Sequence, residues 1–418
     1  MNLLTLNIKE LVQIEHKTRL KVSGSEMNKV DSIHNAYLYS ENGIIKDFGK
    51  MSELDTNIVN SKNVNIIDAF GKTIIPAFCD SHTHLVFAGS RETEFLDKIN
   101  GLSYQEITQG GGGIFNSSKK IKEISEDKLY EYSYERIKEI MSFGTGSVEI
   151  KSGYGLSTDN ELKMLRVIQK LKNNVPVKIK STFLGAHAIP LEYRNNTDKY
   201  VDIIINDMLP RVVDEGLADY IDVFCDKGFF SVAQTERILE AGIKYKLKPK
   251  IHANEMDISG GVQTGVKYNA LTVDHLECIG EEEIESLKGS TTIPVVLPGV
   301  SFFQNMPYAP ARKLIDAGLP LAMASDFNPG TSPSGNMQFI YSLGCIKYKL
   351  TPAEVLNAIT INGAAAIELS DITGSIAKGK SADYIITKPI PSLAYIPYAF
   401  GSNKLDTLVL NGEIVYRN

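Results

Sequence analysis

Eight apolar, strand-like runs recur along the middle of this chain, each separated from the next by a segment of helical pattern, and this repetition limits the fold more than any single motif does. The runs are KTIIPAFCD (72–80), TGSVEIK (145–151), VKIKSTFLGAH (177–187), DYIDVFCD (219–226), PKIHANE (249–255), ALTVDHLE (270–277), TIPVVLPG (292–299) and LPLAMASDF (319–327). Segments such as DKLYEYSYERIKEIMSFG and TERILEAGIKYKL lie between them. Alternation of this kind predicts parallel strands joined by crossover helices, and eight units predict an α/β fold closed into a (β/α)8 barrel of TIM type. An open doubly wound sheet would carry a glycine-rich phosphate loop after its first strand, and none occurs there. The GGGGI run at 110–114 follows no strand and lacks phosphate-loop spacing, so it reads as a loop.

The two ends have a different texture. In AYLYSENGIIKDFG, Glu41, Asn42 and Gly43 sit between two alternating runs, and LDTLVLNGEIVYRN repeats the arrangement around Asn411-Gly412. Residues 1–75 and 371–418 are therefore expected to form one small discontinuous β-sandwich domain, with the barrel spanning 76–370. With 418 residues, 43% of them hydrophobic, the chain has enough apolar material for a large core.

A net charge of −6 provides no positive field to hold nucleic acid or anionic lipid, so neither is an expected partner. Cys79, Cys225, Cys278 and Cys345 form no CxxC pair, which fits a reducing compartment, and a cytoplasmic location is expected. The N-terminus, MNLLTLNIKELVQIEHKTRL, lacks a basic segment followed by a long apolar one, and no stretch approaches the length of a membrane span.

Five of the seven histidines fall in or just after the predicted strands: His82 and His84 after the first, His187 at the end of the third, His252 in the fifth and His275 in the sixth. In a (β/α)8 barrel the C-terminal strand ends converge on one face, so residues remote in sequence share one site. A single histidine is an ordinary polar side chain, whereas five at one mouth form a constellation. The spacing of HTH sends His82 and His84 the same way, so both can reach one ion. Asp326, in MASDFNPG, adds a carboxylate at the end of the eighth strand, beside the first once the barrel closes. Its competing reading is a helix cap. Three neutral imidazoles and one carboxylate suit Zn²⁺, and Fe²⁺ is also chemically acceptable. An ion held this way lowers the pKa of a bound water toward about 7, which makes hydrolysis the natural chemistry. Glu255, three residues after His252, is placed to carry a proton from that water to a leaving nitrogen; its competing reading is a carboxylate serving a helix N-terminus. His275 is placed to orient the nucleophile or stabilise an oxyanion.

The ordered set DSHTHLVFAGSRETEF, GGGGI, SVEIKSGYGL, TFLGAHAIP, DVFCDKGFF, IHANE, VDHLE, LPGVSFF and SDFNPGTSPS spans essentially the whole chain and resembles the amidohydrolase superfamily, in particular its ring-opening hydrolases of histidine degradation. The resemblance implies one Zn or Fe ion per chain held by His82, His84, His252 and Asp326, with Glu255, His275 and Asp326 as the catalytic groups. It also implies that a small-molecule substrate, 4-imidazolone-5-propanoate, is bound by Arg91, Tyr154, His187, Glu255, Asn328, Gly330 and Thr331. Opening of its ring to N-formimidoyl-L-glutamate by a metal-activated hydroxide, in a homodimer, completes the implied picture. Residue chemistry supports part of this: Arg91 offers a planar fork of donors for a carboxylate, and NPGT can hydrogen-bond a ring edge next to the metal. Tyr154 alone would read as a loop tyrosine.

Two departures from the family pattern stand out. Ala77 in PAFCDSHTH replaces a usual glycine, so an ordinary backbone is expected there. Lys227 falls just past the fourth strand, where two-metal members of the superfamily carry a carboxylated lysine; its position predicts a surface residue and a single ion. The alternatives are a deaminase of a nucleobase or guanidine-like compound using the same metal, Glu255 and His275, and a barrel kept as a non-catalytic scaffold. Arg91 and Tyr154 argue against the first, because they favour an anionic substrate. Retention of the proposed ligands and Glu255 argues against the second.

Overall fold

The structure is a computed structural model and describes residues 2–59, 63–102 and 112–418. Its centre is an eight-stranded parallel barrel, whose strands in chain order are Phe78–Asp80, Thr145–Lys151, Lys178–Ala186, Tyr220–Cys225, Lys248–Ala253, Thr272–His275, Ile293–Val296 and Ala322–Met323. Each strand pairs with the next, and the last returns to the first through a Thr83–Phe327 bridge and hydrogen bonds from Asp326 N to His82 O (3.0 Å) and from His84 N to Phe327 O (2.9 Å). The residues that close the barrel are thus the HTH and SDF motifs themselves. Of the GGGGI run, residues 110 and 111 lie outside the described residues, and a helix begins at Ile114.

Side chains alternate along the strands, and their contacts show which way each one points. Val148, Ile150, Ile221, Val223, Ile251 and Val273 join the apolar core with the helices outside. Glu149, Lys151, Asp222, Lys250, His252 and Asp274 contact one another across four strands, which places them inside the barrel. The surrounding helices have ordinary local determinants. Glu126–Ser142 starts after Ser125, whose hydroxyl accepts from Lys128 N, and Val232–Lys244 starts with a capping box between Ser231 and Gln234.

A second, mixed sheet is built from both termini. Its order runs from Glu413–Arg417 through Leu405–Leu410, Tyr384–Thr387, Thr73–Pro76, Asn2–Val12 and Ser32–Glu41 to Ile44–Lys50, with Val64–Asp68 also pairing with Asn2–Val12. A two-stranded piece, Ile14–Glu15 with Ile376–Ala377, adds a further joint between the termini. Both predicted hairpin turns form. Asn42 and Gly43 have φ of 50° and 79°, Asn411 and Gly412 of 51° and 71°, the left-handed pair that a two-residue type I′ turn requires.

The run at 72–80 differs from its expectation of one barrel strand. Thr73–Pro76 pairs with Asn2–Val12 and Tyr384–Thr387 in the terminal sheet, and only Phe78–Asp80 enters the barrel. The chain crosses between the two at Ala77, whose φ is not positive. Pro76 has no N–H for a continuing ladder, which marks the end of the first segment. The eighth strand is also shorter than 319–327, covering only Ala322–Met323, and Asp326 beyond it takes a φ of 51°.

Candidate metal centre

His82, His84, His252 and Asp326 converge at the C-terminal mouth of the barrel. The Nε2 atoms of His82 and His84 lie 3.5 and 3.4 Å from Asp326 Oδ1, and Nε2 of His252 is 3.4 Å from that of His84. The three imidazoles each offer a nitrogen within 4.8 Å of the others, close enough to share a metal ion. His82 Nε2 and Asp326 Oδ1 are buried with no hydrogen-bond partner among the described residues. Such orphaned atoms facing one another fit a cation better than any protein hydrogen bond. Burial, with neighbouring Lys151, holds the His82 imidazole well below its usual pKa; burial and the adjacent His187 do the same for His84, leaving both lone pairs free. Burial, then the negative field of Glu255, pushes the Asp326 carboxyl well up, the signature of a carboxylate lacking a counter-charge.

The far side of two of the three imidazoles is fixed by a carboxylate, while Nδ1 of His84 has no hydrogen-bond partner among the described residues. Nδ1 of His82 lies 2.6 Å from Asp274 Oδ2, and Nδ1 of His252 lies 3.0 Å from Asp222 Oδ1. With an acceptor at Nδ1, the neutral ring carries its proton there and turns Nε2 toward the shared space. Lys151 joins the two supports, with Nζ 2.7 Å from Asp222 Oδ2 and 3.8 Å from Asp274 Oδ2, and donates to Glu149 at 2.8 Å. Lys250 also donates to Glu149. Burial raises the Asp222 carboxyl, but His252 and Lys151 outweigh it and hold the group well below the usual range. Sequence reasoning missed Asp222, Asp274, Lys151 and Glu149. The available signal was the presence of charges inside otherwise apolar strands, at positions that alternate with the outward-facing residues.

His275 enters the site by a different route. Asp274 already faces inward, so alternation would turn the next side chain out. His275 takes a φ of 87° and Leu276 one of 71°, which reverses the strand end and returns the ring to the mouth, 5.3 Å from the His252 ring centroid. A non-glycine residue held there costs about 1–3 kcal/mol, stored where the site needs the geometry. Nδ1 of His275 faces Glu255 Oε2 at 3.5 Å and Glu277 Oε2 at 3.7 Å. Burial, then Asp226, pushes the Glu255 carboxyl up to about 8. Glu277 is another residue that sequence reasoning missed.

His84, His252, Glu255, His275 and Asp326 border a cavity of about 280 Å³ that also exposes Arg91, Tyr154, His187, Asn328 and Thr331, the size of site that takes a small metabolite. His187 stacks on His84, with centroids 4.8 Å apart and planes 13° apart, and its Nδ1 meets the Gly153 carbonyl at 3.2 Å. Burial lowers its pKa to about 3. Tyr154 is 2% exposed and sits 5.7 Å from the His84 ring. Its loop is wound around the buried Glu161 carboxylate, which accepts from the backbone N–H of Gly153, Gly155 and Leu156. Gly330, alone of the expected substrate-binding residues, does not line the cavity. Asn328 acts as a clasp: Nδ2 donates to Asp326 Oδ2 and Thr331 Oγ1, and Oδ1 accepts from Gly330 N and Thr331 N. Lys227 is exposed and paired with Asp257 at 3.0 Å, away from the cluster, as its position past the strand predicts.

Comparison with known proteins narrows the family. Residues 307–415 match the amidohydrolase family model. The chain is 55% identical over 415 residues to an imidazolonepropionase of Christiangramia forsetii, covering 99% of this chain and 100% of the relative. It is likewise 55% identical over 409 residues to one of Flavobacterium johnsoniae, covering 98% of each. Among solved structures, the E. coli guanine deaminase superposes with a TM-score of 0.74 at 14% identity, covering 100% of this chain and 99% of that one; at that identity the likeness is one of fold. Full-length identity at this level, with the histidine cluster in place, makes the chain a member of the imidazolonepropionase family of amidohydrolases.

Proposed function

We propose that this protein hydrolyses the ring of 4-imidazolone-5-propanoate to give N-formimidoyl-L-glutamate. The observation that carries the reading is the 55% identity over 99% of the chain with an imidazolonepropionase; the cavity supplies the chemistry. His82, His84, His252 and Asp326 would hold one ion, zinc or iron. When bound, that ion supplies Lewis-acid polarisation of the ring carbonyl and makes water a stronger acid. Glu255 takes the proton from the attacking water and passes it to the ring nitrogen as the carbon–nitrogen bond breaks. His275 steadies the carbonyl oxygen as charge builds on it. Tyr154 and His187 flank the ring, and Thr331 borders it from the opposite loop.

Arg91 holds the propanoate. Its side chain is 6% exposed, and the nearest carboxylate, Glu94, lies 3.9 Å from Nε and is already engaged by Gly113 N and Asn116 Nδ2. Among the described residues Nε has no hydrogen-bond partner, so the guanidinium is available to a ligand anion. Arg91→Ala is expected to raise KM ~10- to 100-fold with a much smaller fall in kcat, as loss of a charge-assisted contact remote from the reacting bond requires. A constant KM in steady-state assays would place the carboxylate elsewhere.

The reading is tested by offering purified, metal-analysed protein the imidazolone and, separately, aminated rings, with ammonia measured apart from ring opening. Ring opening of the imidazolone is expected; ammonia from an aminated ring alone would make the protein a deaminase. One ion per chain is expected, and its removal by a chelator should abolish turnover until Zn²⁺ or Fe²⁺ is returned. We further propose a cytoplasmic homodimer, a location supported by four free cysteines; among the described residues no helix is long and apolar enough to cross a membrane.

A further inference from the structure

We infer that Asp226 is a positioning residue for the reaction: its carboxylate seats the backbone of Glu255 and so sets where that side chain stands in the cavity. The inference rests on the reading of Glu255 as the proton-transfer group. The fourth barrel strand ends at Cys225, and Asp226 follows it directly. Oδ2 of Asp226 accepts from Glu255 N at 2.8 Å and from Met256 N at 3.0 Å. Oδ1 accepts from Lys227 N at 2.7 Å, so the carboxylate is itself held by its own turn. Glu255 lies beyond the fifth strand, Lys248–Ala253, and among the described residues no backbone carbonyl takes its N–H. Asp226 therefore supplies the acceptor that the ladder no longer does.

The chain on either side agrees with this role. Asn254 has a φ of 55°, which turns the backbone out of the strand, and its carbonyl accepts from Cys278 N at 2.8 Å. The residue before Glu255 is thus tied to the chain leaving the sixth strand, and Glu255 itself to the chain leaving the fourth. The fourth strand serves the metal site in the same manner: Asp222 accepts from His252 N at 3.2 Å and meets His252 Nδ1 at 3.0 Å. One strand therefore carries two carboxylates, Asp222 for the ligand and Asp226 for the proton carrier. Asp226 is buried and does not border the cavity; it faces a separate groove with Lys227, Ser231 and Asp257. Its effect on substrate must pass through Glu255.

The test compares Asp226→Ala, Asp226→Asn and each of them combined with Glu255→Gln. For each, kcat and KM on the imidazolone and the metal content are measured, with amide hydrogen exchange across residues 249–258. Asp226→Ala is expected to lower kcat ~10- to 100-fold with KM and metal content near wild type, as a slight misplacement of a reacting group requires. Exchange at Glu255 and Met256 should quicken, because both N–H groups lose their acceptor. Asp226→Asn keeps a carbonyl oxygen at the seat and removes only the charge, so it should recover most of kcat and the slow exchange. In the Glu255→Gln background Asp226→Ala should add little, because a seat has no effect once its occupant is disabled. Asp226→Ser, whose hydroxyl stops short of Glu255 N, stands in for Asp226→Ala should that variant not fold.

Unchanged kcat or unchanged exchange in Asp226→Ala overturns the inference. So does an Asp226→Asn as impaired as Asp226→Ala, which would assign the effect to charge, and so does a loss that multiplies with Glu255→Gln. If Glu255→Gln alone turns over normally, the proton-transfer reading fails first and the inference falls with it. Inactivity of the wild type on the imidazolone would overturn the functional reading instead, and the exchange measurement would still decide the seat.

Discussion

Glu255→Gln is expected to lower kcat about 100- to 10,000-fold, the range that general acid–base catalysis contributes, while the metal content stays at that of wild type. Glutamine keeps the shape and can still hydrogen-bond, but it cannot accept a proton from water and return it to nitrogen. The proposed ligand cluster is His82, His84, His252 and Asp326, so the substitution leaves it whole. Glu277 provides an internal comparison. Its Oε2 lies 3.7 Å from the same His275 Nδ1, but it does not border the cavity. A carboxylate that only steadies His275 should matter less than one that reaches substrate, so Glu277→Gln should lower kcat by a smaller factor than Glu255→Gln. Equal losses would move the proton-transfer role to the pair, and unchanged turnover in Glu255→Gln would remove Glu255 from the mechanism. Metal analysis and steady-state kinetics on the same preparations decide it.

What was legible in the sequence, and what was not, follows from where information sits in a barrel. The eight runs could be read because each had to be apolar enough to pack against helices, and the candidate ligands because HTH and SDF stand at strand ends. The run at 72–80 could not be divided by pattern. Thr73–Pro76 and Phe78–Asp80 are buried throughout, one in each sheet, and a continuous apolar run looks the same in either. Asp222 and Asp274 were hidden for a different reason. Within its own strand each is the one carboxylate, and its partner comes from another strand: Asp222 serves His252, and Asp274 serves His82.

The same network sets the largest expected effect on stability. Lys151→Met should destabilise the fold by about 3–5 kcal/mol, the cost of breaking a buried ion pair by removing one partner. Lys151, Glu149, Asp222 and Asp274 all have side chains with 0% exposure, so water cannot replace the lost ammonium. Burial lowers the lysine's pKa, but Asp222, Glu149 and Asp274 together outweigh it and raise it above the ordinary value, so the ammonium is charged across the working range. The loss should also reach the metal. With the bridge between Asp222 and Asp274 gone, the acceptors that orient His252 and His82 are free to shift, and affinity for the ion should fall about 10- to 100-fold. Chelator competition read by metal release measures the second effect, and urea unfolding of the metal-free protein measures the first. A merely structural lysine would lower metal-free stability and leave the metal affinity of the folded protein intact. Lys250→Met makes the contrast: Lys250 pairs with Glu149, and neither group is within hydrogen-bond distance of a ligand imidazole among the described residues. It should match the stability loss while retaining most of the metal affinity. If both variants lost the ion equally, the barrel interior would be acting as one undivided charge store, and the particular chain His252, Asp222, Lys151, Asp274, His82 would have no separate role.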